Sequence, residues 1–96
     1  MVKHVVMWRF ADKADAARAR EQIESMRGRV PSMLSLETGL NFLDSPASYD
    51  LVLITEHTDR AALDAYQADP VHADIKRIVG GMPAERTVVD FETSAQ

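Results

Sequence analysis

Four alternating apolar runs, a long segment of helical period after the first and a proline-broken helical segment before the last predict an α+β domain of order βαββαβ. This is the ferredoxin-like arrangement, a four-stranded antiparallel sheet with helices on one face. The chain has 96 residues, enough for a single domain with one core over residues 1–96. With 46% hydrophobic and 27% charged residues its composition is that of a folded protein. A domain of this size buries only ~60–65% of its unfolded surface, so help from a partner subunit is expected.

The elements follow in order. Val2 to Phe10 reads as a strand, with Val2, His4, Val6, Trp8 and Phe10 on one side and Val5 and Met7 on the other, between Lys3 and Arg9. From Asp12 to about Arg29, Ala16, Ala19, Ile23, Met26 and Val30 recur at spacings of three and four, as one face of a helix requires. Asp12 or Asp15 is suited to cap its start, and Gly28 with Pro31 marks its end. Leu34 to Leu43 alternates as a second strand, with Leu34, Leu36, Leu40 and Phe42 on one side and Gly39 at a bulge or close approach. Asp44 to Ser48 is a connecting loop.

Tyr49 to about His57 is the third strand and is apolar on both sides, with Leu51, Leu53 and Thr55 on one and Val52 and Ile54 on the other. Asp59 to about Ala68 reads as a short helix with Leu63 and Tyr66 on a common face. Asp69-Pro70 then restarts the helix, because proline suits the first turn and disfavours helix in the residue before it. Gly80-Gly81 and Pro83 end it, Arg86 to Glu92 is the last strand, and Thr93 to Gln96 is expected to be loose.

Strands one and three carry more apolar surface than one helical layer covers. A bare sheet face, built from residues such as Val6, Trp8 and Phe10 or Leu51 and Leu53, predicts a second copy packed against it as a homodimer. Such an assembly is expected to enclose a partly apolar cavity between sheet and helix, suited to a small organic ligand.

Other classes fall away. The chain has no cysteine, hence no disulfide, thiolate nucleophile, iron–sulfur cluster or Cys-type zinc site. Val5–Trp8 and Leu51–Ile54 are far too short to span a membrane, and Lys3, His4 and Arg9 interrupt any signal-peptide core, so a cytoplasmic location is expected. A net charge of −4 with scattered arginine offers no basic stripe for nucleic acid. The three histidines show no paired metal-ligand spacing, so no metal is expected. The glycines match no dinucleotide or phosphate loop, since Gly80-Gly81 follows a helix where those motifs open one. Met7, Met26, Met33 and Met82 read as core filling.

Met1 to Phe10 resembles the first strand of the stress-responsive A/B barrel proteins. Pro31 to Asn41, with Leu36, Gly39 and Asn41, resembles their second strand. Tyr49-Asp50-Leu51-Val52-Leu53, Tyr66 with Asp69-Pro70-Val71-His72, and Val88-Val89-Asp90-Phe91 continue the likeness in the same order. The resemblance implies a dimeric α+β barrel of two ferredoxin-like halves. Its olivetolic acid cyclase-like members close a linear polyketide without a cofactor. Similarity to them would place their catalytic tyrosine and histidine on Tyr66 and His72 and their pocket histidine on His4. The chain departs from the family in having Asp69 where a histidine often precedes the proline.

The residues support several roles on their own chemistry. With Asp69 as N-cap and Pro70 first in the helix, His72 is third. The helix dipole there disfavours imidazolium and keeps the ring able to accept a proton, as a general base must; plain packing near the helix start is the structural alternative. Asp69 is expected to accept the His72 backbone N–H as a cap, and it could also orient the ring. Tyr66 would donate to a carbonyl or enolate, or else fill space; either way its hydroxyl is expected to be hydrogen-bonded. His4 is a core histidine or a base, with Asp90 brought near it if strand four lies beside strand one. Arg86 shares a face with Val88 and Asp90 and would suit an anionic group. Val6, Trp8, Leu53, Thr55 and Val88 are the expected pocket wall, and His57 is expected at the solvent. Two functions remain: a cofactor-independent cyclase-, lyase- or isomerase-like enzyme, and a non-catalytic binder or stress-associated dimer.

Overall fold

β1 (Val2–Phe10) occupies the centre of the sheet, between β3 (Leu51–His57) and β4 (Ala84–Glu92), with β2 (Ser35–Leu40) outside β3. Every pairing is antiparallel. Helix α1 (Ala14–Glu24) crosses between β1 and β2, while α2 (Arg60–Ala68) and α3 (Pro70–Gly80) cross between β3 and β4. This ferredoxin-like order, seen in a computed structural model that describes residues 1–93, is the one predicted from the sequence. Among those residues no helix is long and apolar enough to cross a membrane.

Alternation in β1 sets the two sides. Val2, His4, Val6, Trp8 and Phe10 face the helices and are buried, opposite Leu51, Leu53, Thr55 and His57 of β3. Ala19, Ile23, Met26 and Val30 of the first helical segment, with Tyr66, Ile75 and Val79 of the second, close over them as a single core. The outer side of the sheet carries Val5 and Met7 of β1, Val52 and Ile54 of β3, and Val89 and Phe91 of β4. The apolar face left bare by the helices is therefore made of these residues, not of Val6, Trp8, Phe10, Leu51 or Leu53. Antiparallel register puts the latter on the helix side. Met7 accordingly lies on the outer face at 37% exposure and does not fill the core.

Local chemistry accounts for the ends. Asp59 caps α2 by accepting the Ala62 N–H at 2.8 Å. Asp69 is extended (ψ 132°), as a residue before proline prefers, which breaks α2 from α3. Its carboxylate accepts from the Val71 N–H at 2.8 Å, one residue short of the expected His72 N–H. Lys13, the residue before α1, gives no side-chain cap; Asp12 instead accepts from the Ala14 N–H, and Asp15, also expected as a cap, pairs with Arg18. This helix ends at Glu24, earlier than the periodicity implies, because residues 25–29 form turns that include Gly28, whose φ of 78° suits a residue without Cβ.

β2 is also shorter than its alternation suggests. Leu34 and Leu43 fall outside it, and Phe42 is 96% exposed. Gly39 continues the ladder opposite Val52 without a bulge, and a Cβ there would sit 3.3 Å from a Val52 methyl. The expectation of a loose tail falls, for residues 94–96, outside the described residues.

Asp50 ties the start of β3 to β1. Its buried carboxylate accepts the Phe10 N–H at 2.8 Å and the Lys13 ammonium at 2.6 Å. The Lys13 hydrogen bond, with that of Phe10, holds the carboxyl below its ordinary value. A depressed carboxylate stabilises the fold above its unfolded pKa of about 4, and that contribution is lost as pH falls through the folded value. Asp50→Ala, which leaves the Phe10 amide unpaired, is expected to lower the unfolding free energy by about 1–3 kcal/mol at neutral pH. In urea denaturation the difference from wild type should narrow below about pH 4.

Candidate functional site

Between the sheet and helices α1 and α3 lies a cavity of about 200 Å³. Strand β1 supplies His4, Val6 and Trp8, β3 supplies Leu53, and β4 supplies Arg86. Tyr66 enters from the end of α2, and α3 contributes His72, Ile75, Lys76, Val79 and Gly80. Ile23 and Met26 close the side nearest α1. The walls are mostly apolar with a few convergent polar groups, the usual make-up of a small-molecule site. The volume, below the ~300–1,000 Å³ common for drug-sized ligands, suits a compact molecule.

Tyr66 is the pivot of this site. The break at Asp69-Pro70 lets α2 end with its last turn over the sheet while α3 leaves in a new direction, and the ring is wholly buried at that corner. Three imidazoles surround it: His72 at 4.2 Å between ring centroids, His57 at 4.9 Å and His4 at 5.7 Å. Its hydroxyl is buried with no hydrogen-bond partner, contrary to the expectation from sequence, and so is Nδ1 of His72. Burial pushes the Tyr66 pKa up to about 12, so the phenol keeps its proton and remains a donor. Burial also pushes His72 below the usual imidazole value, against a backbone interaction with Gln67 that raises it, so its ring is neutral and able to accept a proton.

The other two histidines are held. His4 lies directly opposite Asp90 in the β1–β4 ladder, and its Nδ1 bonds to the Asp90 carboxylate, which leaves Nε2 as the uncommitted nitrogen. His57, far from being solvent-exposed, is completely buried. Its Nδ1–H donates to the Ser32 carbonyl at 2.9 Å, and in the neutral ring Nε2 accepts from the Thr55 hydroxyl at 2.8 Å. Burial lowers its pKa. A strand-end histidine reads as exposed from sequence; the segment around Ser32, folded back over the end of β3, covers it.

His4, Val6, Trp8, Leu53, Tyr66, His72 and Arg86 thus meet at one cavity. Thr55, Val88 and Asp90 share the same side of the sheet but do not border it. Thr55 is turned to His57, Asp90 is taken up by His4, and Val88 packs against the core. The residues that sequence reasoning passed over are Ile75, Lys76, Val79 and Gly80, with Ile23 and Met26. Those of α3 follow His72 at spacings of three and four, a signal readable once His72 is taken as the reference. No group of three or more His, Asp and Glu side chains among the described residues is placed to hold a metal ion.

The stress-responsive A/B barrel domain model matches residues 2–93. No curated protein sequence matches the chain. Among solved structures, a dimeric protein of unknown function and ferredoxin-like fold from Bacteroides fragilis is 23% identical, with 96% of this chain and 95% of that one covered and a TM-score of 0.80. At3g17210 from Arabidopsis thaliana is 20% identical over 100% of this chain and 98% of its own (TM-score 0.82). Hydroxynitrile lyase from Passiflora edulis is 11% identical over 99% and 95% (TM-score 0.80). At these identities the likeness shows the fold.

Two outcomes test the geometry. Because the Tyr66 hydroxyl has no partner, Tyr66→Phe is expected to leave the unfolding free energy unchanged or raise it by up to about 1 kcal/mol; a clear loss in denaturant unfolding would mean the hydroxyl is bonded in the folded protein. His57 and His72 have folded pKa values below the unfolded value of about 6.5, so the unfolded chain binds more protons in acid. Stability is therefore expected to be full above about pH 6.5 and to fall progressively below it, with a shallower decline in His72→Asn.

Proposed function

Since the chain belongs to the stress-responsive A/B barrel domain family, we propose that it acts as a homodimeric α+β barrel enzyme on a small carbonyl compound, using Tyr66 and His72 without a cofactor. The observation that carries this reading is the pair of buried, unpartnered polar atoms, Tyr66 Oη and His72 Nδ1, on residues of one cavity wall. Buried polar groups are normally satisfied, and a ligand carbonyl with an adjacent acidic C–H would satisfy both.

In this reaction His72 takes a proton from the carbon next to the carbonyl. The electron pair moves into an enolate whose oxygen accepts the Tyr66 hydrogen bond. The carbanion then attacks a second carbonyl, forming a carbon–carbon bond, and protonated His72 returns its proton to the new alkoxide. The same steps in reverse make a lyase. Both residues are held in the protonation states required, Tyr66 as donor and neutral His72 as acceptor. The small cavity favours a compact substrate over a long polyketide.

The dimer rests on the outer sheet face. Val5, Met7, Val52, Ile54, Val89 and Phe91 form an apolar surface that a second copy would cover, and the similar Bacteroides fragilis protein is described as dimeric. A ligand-binding dimer without catalysis is the other outcome of the same test.

On a panel of small ketones, His72→Ala is expected to lower kcat by about 10²–10⁴-fold and Tyr66→Phe by about 10–10³-fold. Unchanged turnover in both removes the assignment. In sedimentation, the wild type is expected at twice the chain mass, and Val52→Asp, which puts a charge on the outer face, should shift it toward the single chain.

A further inference from the structure

Two cationic side chains border the same cavity. Lys76 lies one helical turn after His72 on α3, and Arg86 stands on β4 opposite Trp8. Both are exposed, whereas Tyr66 and His72 are buried, so the cations mark the outer end of the cavity and the residues that carry the orphaned polar atoms its inner end.

Neither cation forms an ion pair among the described residues. Lys3, Arg20 and Arg29 form none either, so what sets Lys76 and Arg86 apart is their place at the cavity. The neighbouring positions do pair: Arg77 with Asp74 at 3.9 Å, and Glu85 with Arg9 at 3.5 Å. Acidic groups adjacent in sequence are thus engaged elsewhere, and two positive charges stay open beside an apolar chamber. Both act on His72, and Arg86 on Tyr66, in the direction expected of nearby positive charge.

We propose that the ligand is a small oxo carboxylic acid. Its carboxylate lies between Lys76 and Arg86, its short carbon chain lies against Val6, Trp8, Leu53 and Val79, and its carbonyl faces Tyr66 and His72. The inference rests on the reading of Tyr66 and His72 as the carbonyl-handling pair, and it names the substrate class. A planar guanidinium accepts a carboxylate through two parallel hydrogen bonds, and a second cation at the rim adds charge without needing exact geometry. A ligand with one carboxylate and a short chain also suits a chamber of about 200 Å³.

The test is a calorimetric titration of the intact protein with acetoacetate, 4-oxopentanoate and the methyl ester of each. Wild type is expected to bind the acids about tenfold more tightly than the esters. In Lys76→Gln/Arg86→Gln that preference should vanish while ester binding persists. Both positions are exposed, so the fold is expected to survive, and ester binding reports that it has. Equal binding of acid and ester by wild type, a preference that survives the double substitution, or no binding of either acid at millimolar concentration overturns the proposal. Inorganic phosphate displacing acetoacetate at equal concentration also overturns it, since the site would then be a general anion site. Because binding and turnover are read separately, the two readings fail separately. No acid preference, with turnover still sensitive to Tyr66→Phe, overturns the carboxylate clamp alone. A tenfold preference with turnover insensitive to Tyr66→Phe and His72→Ala overturns the carbonyl role alone.

Discussion

A phenol buried without a hydrogen-bond partner is the constraint on which the site depends. Leaving a buried hydroxyl unsatisfied costs about 1–3 kcal/mol, so such groups are uncommon in a settled core. Here the surroundings could have satisfied it, since three imidazoles lie around the Tyr66 ring. His57 is engaged at both nitrogens, by Thr55 and Ser32, and His4 at Nδ1 by Asp90, with its Nε2 uncommitted. His72 is left with an unpartnered nitrogen of its own. The polar groups of this corner thus divide into a hydrogen-bonded set that fixes geometry and buried unpartnered atoms, Ser32 Oγ and, on two residues that line the cavity, Tyr66 Oη and His72 Nδ1.

The hydrogen-bonded set follows from the sheet. β1 lies between β3 and β4, so a side chain on its helix-facing side has a direct cross-strand neighbour in each. His4 thereby meets Asp90 on one side and Thr55 on the other. Two residues along β3, His57 is packed against Tyr66 from below. The proline break between α2 and α3 completes the corner by bringing Tyr66 and His72, six positions apart, to ring contact at 4.2 Å. A continuous helix would place residues six apart on different faces.

Burial and charge act together on Tyr66 and His72. Desolvation raises the tyrosine pKa and lowers that of the histidine, because it disfavours the charged form of each. Lys76 and Arg86 press in the same direction as burial on His72, and Arg86 opposes burial at Tyr66 without overcoming it. The outcome is a neutral donor beside a neutral acceptor in a mostly apolar chamber, with positive charge kept at its rim.

Alternation and punctuation made most of the fold legible. The period of two in Val2–Phe10 and Leu51–His57, the spacing of Ala16, Ala19, Ile23 and Met26, and Asp69-Pro70 all encode local geometry, and local geometry is what a one-dimensional pattern carries. From these came the element order, the helix break and the shared face of Val6, Trp8 and Leu53; the element order brought Asp90 near His4, but the register that pairs them was decided only in the folded sheet. Which of the two apolar sides of the sheet the helices cover was not encoded locally, because β1 and β3 are apolar on both sides and either face satisfies the period. Helix placement decided it, and put Val5, Met7, Val52 and Ile54 outside. Tertiary structure alone also buried His57, turned Thr55 away from the cavity, brought Lys76 to its mouth and left the Tyr66 hydroxyl without a partner. These depend on which atoms from distant segments arrive at one point in space, and no spacing along the chain specifies that.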